Sequence, residues 1–421
     1  MTDVPTLIDH LFRHESGKMV AALTRLLGAH NLELAEEVVQ EALIRALETW
    51  KFKGLPDNPA AWLMQTAKHR ALDAIRRKRT FKGIAEKLAG EYTLAPAVSA
   101  AFSEHTIEDG QLRMMFACCD PELSEETQVA LVLKLLCGFG VGEIAAAFLV
   151  RPDAVEKRIT RGKQALHQAD LEAVLRPDEI MARLPGVLQA LYLLFNEGYH
   201  GSEQTVRGEL CYEAMRLCLL LTRHEATARP DAFALLALMC FGAARLDARS
   251  NEAGLVLLQH QDRAKWDQAL IAQGNHALSR AAEPGAASPW HIEAAIAATH
   301  CAAPEFEQTD WPTILSLYDA LYEARKDPIV GLNRAIAVGQ VRGPKAALGE
   351  LERLPEKERL EAYPFYYAAK AEFAMRAGDA AKARTHLRQA LYLARNEAER
   401  AHFKARLAVD GKPRPLDYGP P

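Results

Sequence analysis

Apolar residues recur along this chain at steps of three and four in runs rich in Leu, Ala and Glu, and alternating β-branched stretches are rare. That spacing places apolar side chains on one face of a helix, so the pattern predicts a nearly all-α protein. In the first 80 residues, Leu11, Met19, Leu23, Leu26 and Leu27 share one helix face, and Leu34, Val38, Leu43 and Leu47 share the next. Gly28 to Asn31 supplies the turn between them. Gly54-Leu-Pro-Asp-Asn-Pro59 breaks the pattern, and Pro59 suits the first turn of a third helix that begins near Trp62. Trp62 reads as an anchor of that helix, because Leu63 and Ala67 lie on its apolar stripe. From 81 to 110 the periodicity weakens around Gly83, Gly90, Pro96 and Gly110, which reads as a linker with room for one short helix.

Periodicity resumes at Gln111. Ser124 is placed to cap a helix running through Leu136, and Gly138-Phe-Gly-Val-Gly142 forms a turn. Glu143-Ile-Ala-Ala-Ala-Phe, a short Arg151-Pro turn and a helix from Asp153 to Leu166 follow, which is a helix-turn-helix pattern. Val155, Ile159 and Leu166 would face the core and leave Lys157, Arg158, Arg161 and Lys163 toward a DNA groove. A solvated basic face is the plainer alternative. Beyond Arg176 the pattern remains helical to the end. Asn333-Arg-Ala-Ile-Ala-Val-Gly and Lys370-Ala-Glu-Phe-Ala-Met-Arg align at a spacing of about 35, with Gly343 and Gly378 at equivalent turns, close to a helix-turn-helix repeat.

Charge sharpens this picture. The net charge is -4 over 421 residues, so any nucleic-acid contact must be confined to patches. One such patch is Lys68, Arg70, Arg76, Arg77, Lys78, Arg79 and Lys82, opposed within that stretch by the single acid Asp73. Just before it, Ala35-Glu-Glu-Val-Val-Gln-Glu41 forms an acidic amphipathic helix. The length suits two to three domains. No run of 18 apolar residues or signal-like start occurs, which gives a cytoplasmic expectation with no membrane contact. Seven cysteines form no Cys-x-x-Cys pair and read as buried thiols. Metal, phosphate-loop and nucleotide fingerprints are absent from the sequence, so no cofactor, no metal and no enzyme activity are expected.

The acidic helix, the basic helix and the helix-turn-helix, in this order, resemble the sigma-70 family of RNA polymerase initiation factors. The match is to its extracytoplasmic-function group, which keeps only regions 2 and 4. The resemblance spans about residues 6 to 170. It implies sigma region 2 at 1–80, a linker at 81–110 and region 4 at 111–170. It further implies that Glu36, Glu37, Gln40 and Glu41 contact core polymerase. Lys68, His69 and Arg70 fall where the family holds a base turned out of the stack, and Arg76, Arg77 and Arg79 where it contacts phosphates. His69 stands where many members carry Asn. Opening a duplex costs a few kcal/mol per unstacked base, which a pocket and dense cations can offset.

The remaining residues, 177–421, resemble the subgroup with a tetratricopeptide-like helical extension, which implies a regulatory module acting through a protein partner or through intramolecular contacts. Its distinctive runs are Phe195-Asn-Glu-Gly-Tyr-His200, Ala243-Ala-Arg-Leu-Asp-Ala-Arg249 and Gln261-Asp-Arg-Ala-Lys-Trp-Asp267. Gly198 reads as a helix C-cap, and Asp262, Arg263, Trp266 and Asp267 as residues bridged at helical spacing. The competing expectation is a helix-turn-helix regulator, or an interaction scaffold, without promoter-opening activity.

Overall fold

The computed structural model describes residues 4–77, 91–148, 150–200, 207–251, 254–256, 258–283, 287–355, 359–394 and 397–408. Arg79 lies outside them. Among the described residues, every element longer than three residues is an α-helix, and the strands are the two-residue antiparallel pair Ser250–Asn251 and Gly254–Leu255. The protein is all-α, and its helices group into two compact units: residues 1–194 with 216–228, and residues 195–215 with 229–421.

The first unit opens with α1 (Val4–Leu27) and α2 (Leu32–Lys53). Gly28 turns the chain at φ 87°, and the Asn31 amide closes the corner by donating to the Leu27 carbonyl at 2.8 Å. The buried stripe of α2 is Leu34, Ala35, Val38, Val39, Ala42, Ala46 and Trp50, so small alanines let its neighbours approach closely. This corrects the expected face: Leu47 is 52% exposed, and Ile44 beside it 55%. Packing selected the alanine row over the bulkier one. Trp50 then meets Phe12 at a tilt and Trp62 edge to face, with ring centroids 5.7 and 5.5 Å away, which anchors the start of α3 (Pro59–Arg77).

Residues 91–118, where much of the linker was expected, instead hold α4 (Glu91–Ala101) and α5 (Glu104–Cys118). A helix rises only ~1.5 Å per residue, so this stretch cannot act as the extended tether its composition implied. Gly110, read as a breaker, sits inside α5 because α5 crosses α1 closely there: a Cβ would stand 3.3 Å from the Ala21 carbonyl oxygen. Then come α6 (Glu125–Leu135), α7 (Val141–Ala147) and α8 (Pro152–Leu166), with Ser124 at the N-cap position of α6 and Gly138 turning at φ 69°. The next two helices are α9 (Pro177–His200) and α10 (Gly208–Arg223). The part of α9 within this unit is tied down by Arg183, which bonds Asp120 at 2.9 Å and Glu179 at 2.7 Å.

In the second unit, α11 (Pro230–Ala243) is buried from Ala232 onward. It is followed by α12 (Gln268–Ala281), α13 (Pro289–Ala302), α14 (Trp311–Ala324), α15 (Pro328–Arg342), α16 (Pro344–Arg353), α17 (Pro364–Arg376), α18 (Ala380–Leu393) and α19 (Glu397–Ala408). Asp267, Asp310, Asp327 and Asp379 cap α12, α14, α15 and α18 by accepting backbone N–H groups, and proline opens the first turn of several of these helices. The pairs α15–α16 and α17–α18 repeat one pattern, turning at Gly343 and Gly378 with φ 86° and 85°. Arg334 ties three successive helices, reaching Asp319 on α14 at 2.6 Å and Glu350 on α16 at 2.5 Å.

Two expectations fail here. Gly198 does not end its helix, which runs on to His200; a Cβ at 198 would come within 2.8 Å of Arg207 and Leu210, so glycine is required by close packing. The Asp262 to Asp267 run makes caps rather than bridges between turns: Asp262 accepts from Ala264 N–H and Asp267 from Ala269 and Leu270 N–H. Arg263 donates instead to the carbonyls of His300 and Ala303.

Candidate functional site

Helix α2 presents its acids on the side opposite its alanine stripe. Glu37 and Gln40 are exposed, and Glu36 and Glu41 half-buried. The same surface continues into apolar ground, with Ile44, Leu47, Phe52 and Leu55 exposed and Phe52 as much as 83% so. The charge of such a strip repels phosphate, and its apolar end suits a protein surface rather than DNA.

Helix α3 carries the cations. Lys68 is half-buried, with its ammonium 5.7 Å from the centre of the Phe102 ring. His69 is exposed and hydrogen-bonds Gln65 at 2.9 Å. Arg70 turns toward α2, its Nε 3.8 Å from Glu41. Arg76 is exposed, and Arg77 is the last residue of the helix. Positions 68, 69, 70, 76 and 77 thus lie on one helix, but the Arg70 side chain joins the acidic surface.

In the helix-turn-helix, Val155, Ile159 and Leu166 are buried at 0, 6 and 2% exposure, as their spacing predicts. Gly162 lies on the same buried side, where a Cβ would press within 2.5 Å of Leu131. This fixes which side of α8 faces outward: Lys157 and Arg161 are exposed and Arg158 half-exposed. Fifteen residues give α8 a length of about 22 Å, enough to lie in a major groove. Lys163 differs. Its Nζ is 2.6 Å from Glu36 Oε2, so one expected DNA contact bonds one expected polymerase contact. One turn on, His167 meets Glu33 at 2.8 Å. Neither Glu33 nor His167 was singled out from the sequence. Each lies at helical spacing from a residue that was, but their meeting depends on the packing of α2 against α8.

The second unit gathers the other distinctive runs into a buried cluster. Tyr199 is fully buried, the Arg245 guanidinium donates to its hydroxyl, and Arg249 lies 3.7 Å over its ring. Arg263 stacks 4.7 Å over Trp266. These contacts give Tyr199 a packing role. Burial drives the Cys211 and Cys240 thiols up to about 12 and raises Cys118 and Cys119 further, so these sulfurs stay protonated at neutral pH. Among the described residues, no cluster of His, Cys, Asp or Glu could hold a metal ion, and no helix is long and apolar enough to cross a membrane.

A helical chain with a cationic helix beside an acidic one, followed by a helix-turn-helix with outward-facing cations, is a DNA-binding transcription protein. Family models agree with this division: residues 11–81 match Sigma-70 region 2, residues 113–166 match Sigma-70 region 4, and residues 183–282 match a family of unknown function (DUF6596). An uncharacterized protein of Rhizobium meliloti (strain 1021) is 38% identical over 405 residues, covering 92% of this chain and 94% of that protein. No solved structure matches. The chain belongs to the sigma-70 family, with a helical extension after region 4.

Proposed function

We propose that this protein is a sigma factor of the extracytoplasmic-function type that binds core RNA polymerase, directs it to particular promoters and helps open the DNA. In this reading Glu36, Glu37, Gln40 and Glu41 of α2 dock on the polymerase. Lys68, His69 and Arg70 hold the opened strand of the start-proximal element, and Arg76, Arg77 and Arg79 contact its phosphates. Lys157, Arg158, Arg161 and Lys163 contact the upstream element. The tetratricopeptide-like extension regulates activity through a protein partner or through intramolecular contacts. The observation that carries the reading is the order of surfaces: an acidic and apolar strip, then an exposed cationic helix, then a helix-turn-helix whose buried face leaves its cations outward.

The test is transcription from the DNA upstream of its own coding sequence by purified core polymerase and the full chain. Arg76→Ala with Arg77→Ala should reduce open-complex formation at least tenfold and leave core binding intact, because these cations lie on a different helix from the docking acids. Duplex binding by the chain alone, with no polymerase-dependent transcript, would instead identify a helix-turn-helix regulator.

A further inference from the structure

Residues of α13, α14 and α15 in the second unit line a cleft of about 390 Å³, part of it open to solvent. Its walls are mostly apolar: buried Leu258 and Ile336, and the rings of Phe306, Trp311 and Tyr318. Trp311 stands edge-on to both Phe306 and His300, with ring centroids 5.6 and 5.4 Å away, a setting that suits a further flat ring. Two polar groups interrupt these walls. Asn333 is 8% exposed, and among the described residues its amide has no hydrogen-bond partner. The His300 Nδ1 is buried and likewise without one among them. Buried polar groups left unsatisfied are costly, and these two border the same space.

The field at this cleft is positive. Burial, with Arg245 and Arg263 close by, drives the His300 imidazole down to about 3, so the ring is neutral at physiological pH. Arg263 donates to the His300 carbonyl at 2.8 Å. Among the described residues no carboxylate lines the cleft, and Glu307, which offsets Arg263, is exposed. The charge that keeps a proton off His300 also favours an anion beside it. We propose that this cleft binds a small aromatic carboxylate, its ring held among Phe306, Trp311 and Tyr318 and its carboxylate accepting hydrogen bonds from the Asn333 amide and from His300 in the tautomer protonated on Nδ1. The extension is then a small-molecule site in its own right, whatever its role toward polymerase.

The test uses the full chain with phenylacetate and its neutral counterpart phenylacetamide. Calorimetric titration should show phenylacetate binding at one site with a dissociation constant of about 1 mM or tighter, and phenylacetamide binding about 10-fold more weakly. Asn333→Leu, close in size, should weaken phenylacetate binding about 10-fold and leave the thermal unfolding midpoint unchanged or higher, because it removes an unsatisfied amide from an apolar wall. Trp311→Phe keeps a ring in place and should retain binding while abolishing the tryptophan fluorescence change that phenylacetate produces. Absence of saturable phenylacetate binding up to about 10 mM would overturn the proposal. Equal affinity for acid and amide would overturn the anionic class of ligand. Full affinity in Asn333→Leu, or a fluorescence change that survives Trp311→Phe, would overturn the site.

Discussion

Glu293 on α13 is 1% exposed, and burial raises its carboxyl to about 7 despite the Arg325 guanidinium 3.9 Å away. Its folded value lies above its unfolded one, so the contribution to stability is complete below about pH 4.5 and is lost as pH rises through 7. The size is roughly 3 kcal/mol. Urea unfolding of the second unit should therefore show the unaltered chain losing stability relative to Glu293→Gln between pH 5 and pH 8, while buried His300 and His402, pushed down to about 3 and about 4, act the other way in both chains. An equal slope in both chains would remove Glu293 as a contributor. On α8, Arg158→Ala with Arg161→Ala should weaken upstream-element binding by the polymerase complex and lower the salt slope by roughly one unit per lost phosphate contact. A slope that stayed constant would reject a groove-facing α8.

At the scale of elements, the glycines separate positions that need close approach from those that do not. Gly17→Ala drives a methyl into the Leu136 carbonyl and should cost about 1–3 kcal/mol or more, because backbone rather than a flexible side chain must move. Gly142, near the start of α7, has nothing within 4 Å of its missing Cβ, so Gly142→Ala should stabilise by roughly 0.5–1 kcal/mol. Thermal unfolding distinguishes the two signs. Helix periodicity made most elements legible, including the buried face of α8 from Val155, Ile159 and Leu166. It misjudged α2, because alanines carry little hydrophobic weight in a sequence pattern yet permit the closest packing. It allowed one short helix between 81 and 110 and started the next at Gln111, whereas α4 and an α5 that begins at Glu104 fill 91–118, because Pro96 and Gly110 are breakers by propensity that tertiary contacts accommodate.

At the scale of the whole molecule, the compact units do not divide at the family boundary between region 4 and the extension. Residues 177–194 and 216–228 group with the sigma regions, with Arg183 bonded to Asp120 and Arg216 to Gln111. A fragment stopped after Arg176 should consequently unfold at a lower temperature than one stopped after Ala228, since only the longer one keeps both ion and amide contacts. Equal midpoints would mean these helices add nothing to the first unit. The fold class, the order of the sigma regions and the identity of the candidate cations and acids were determined by the sequence alone. Helix formation, charge and local turns depend on residues close together in the chain. Which acid meets which cation was decided only by the tertiary structure. Glu36 and Lys163, and Glu33 and His167, lie 127 and 134 positions apart in the chain, and no local pattern specifies so distant a contact.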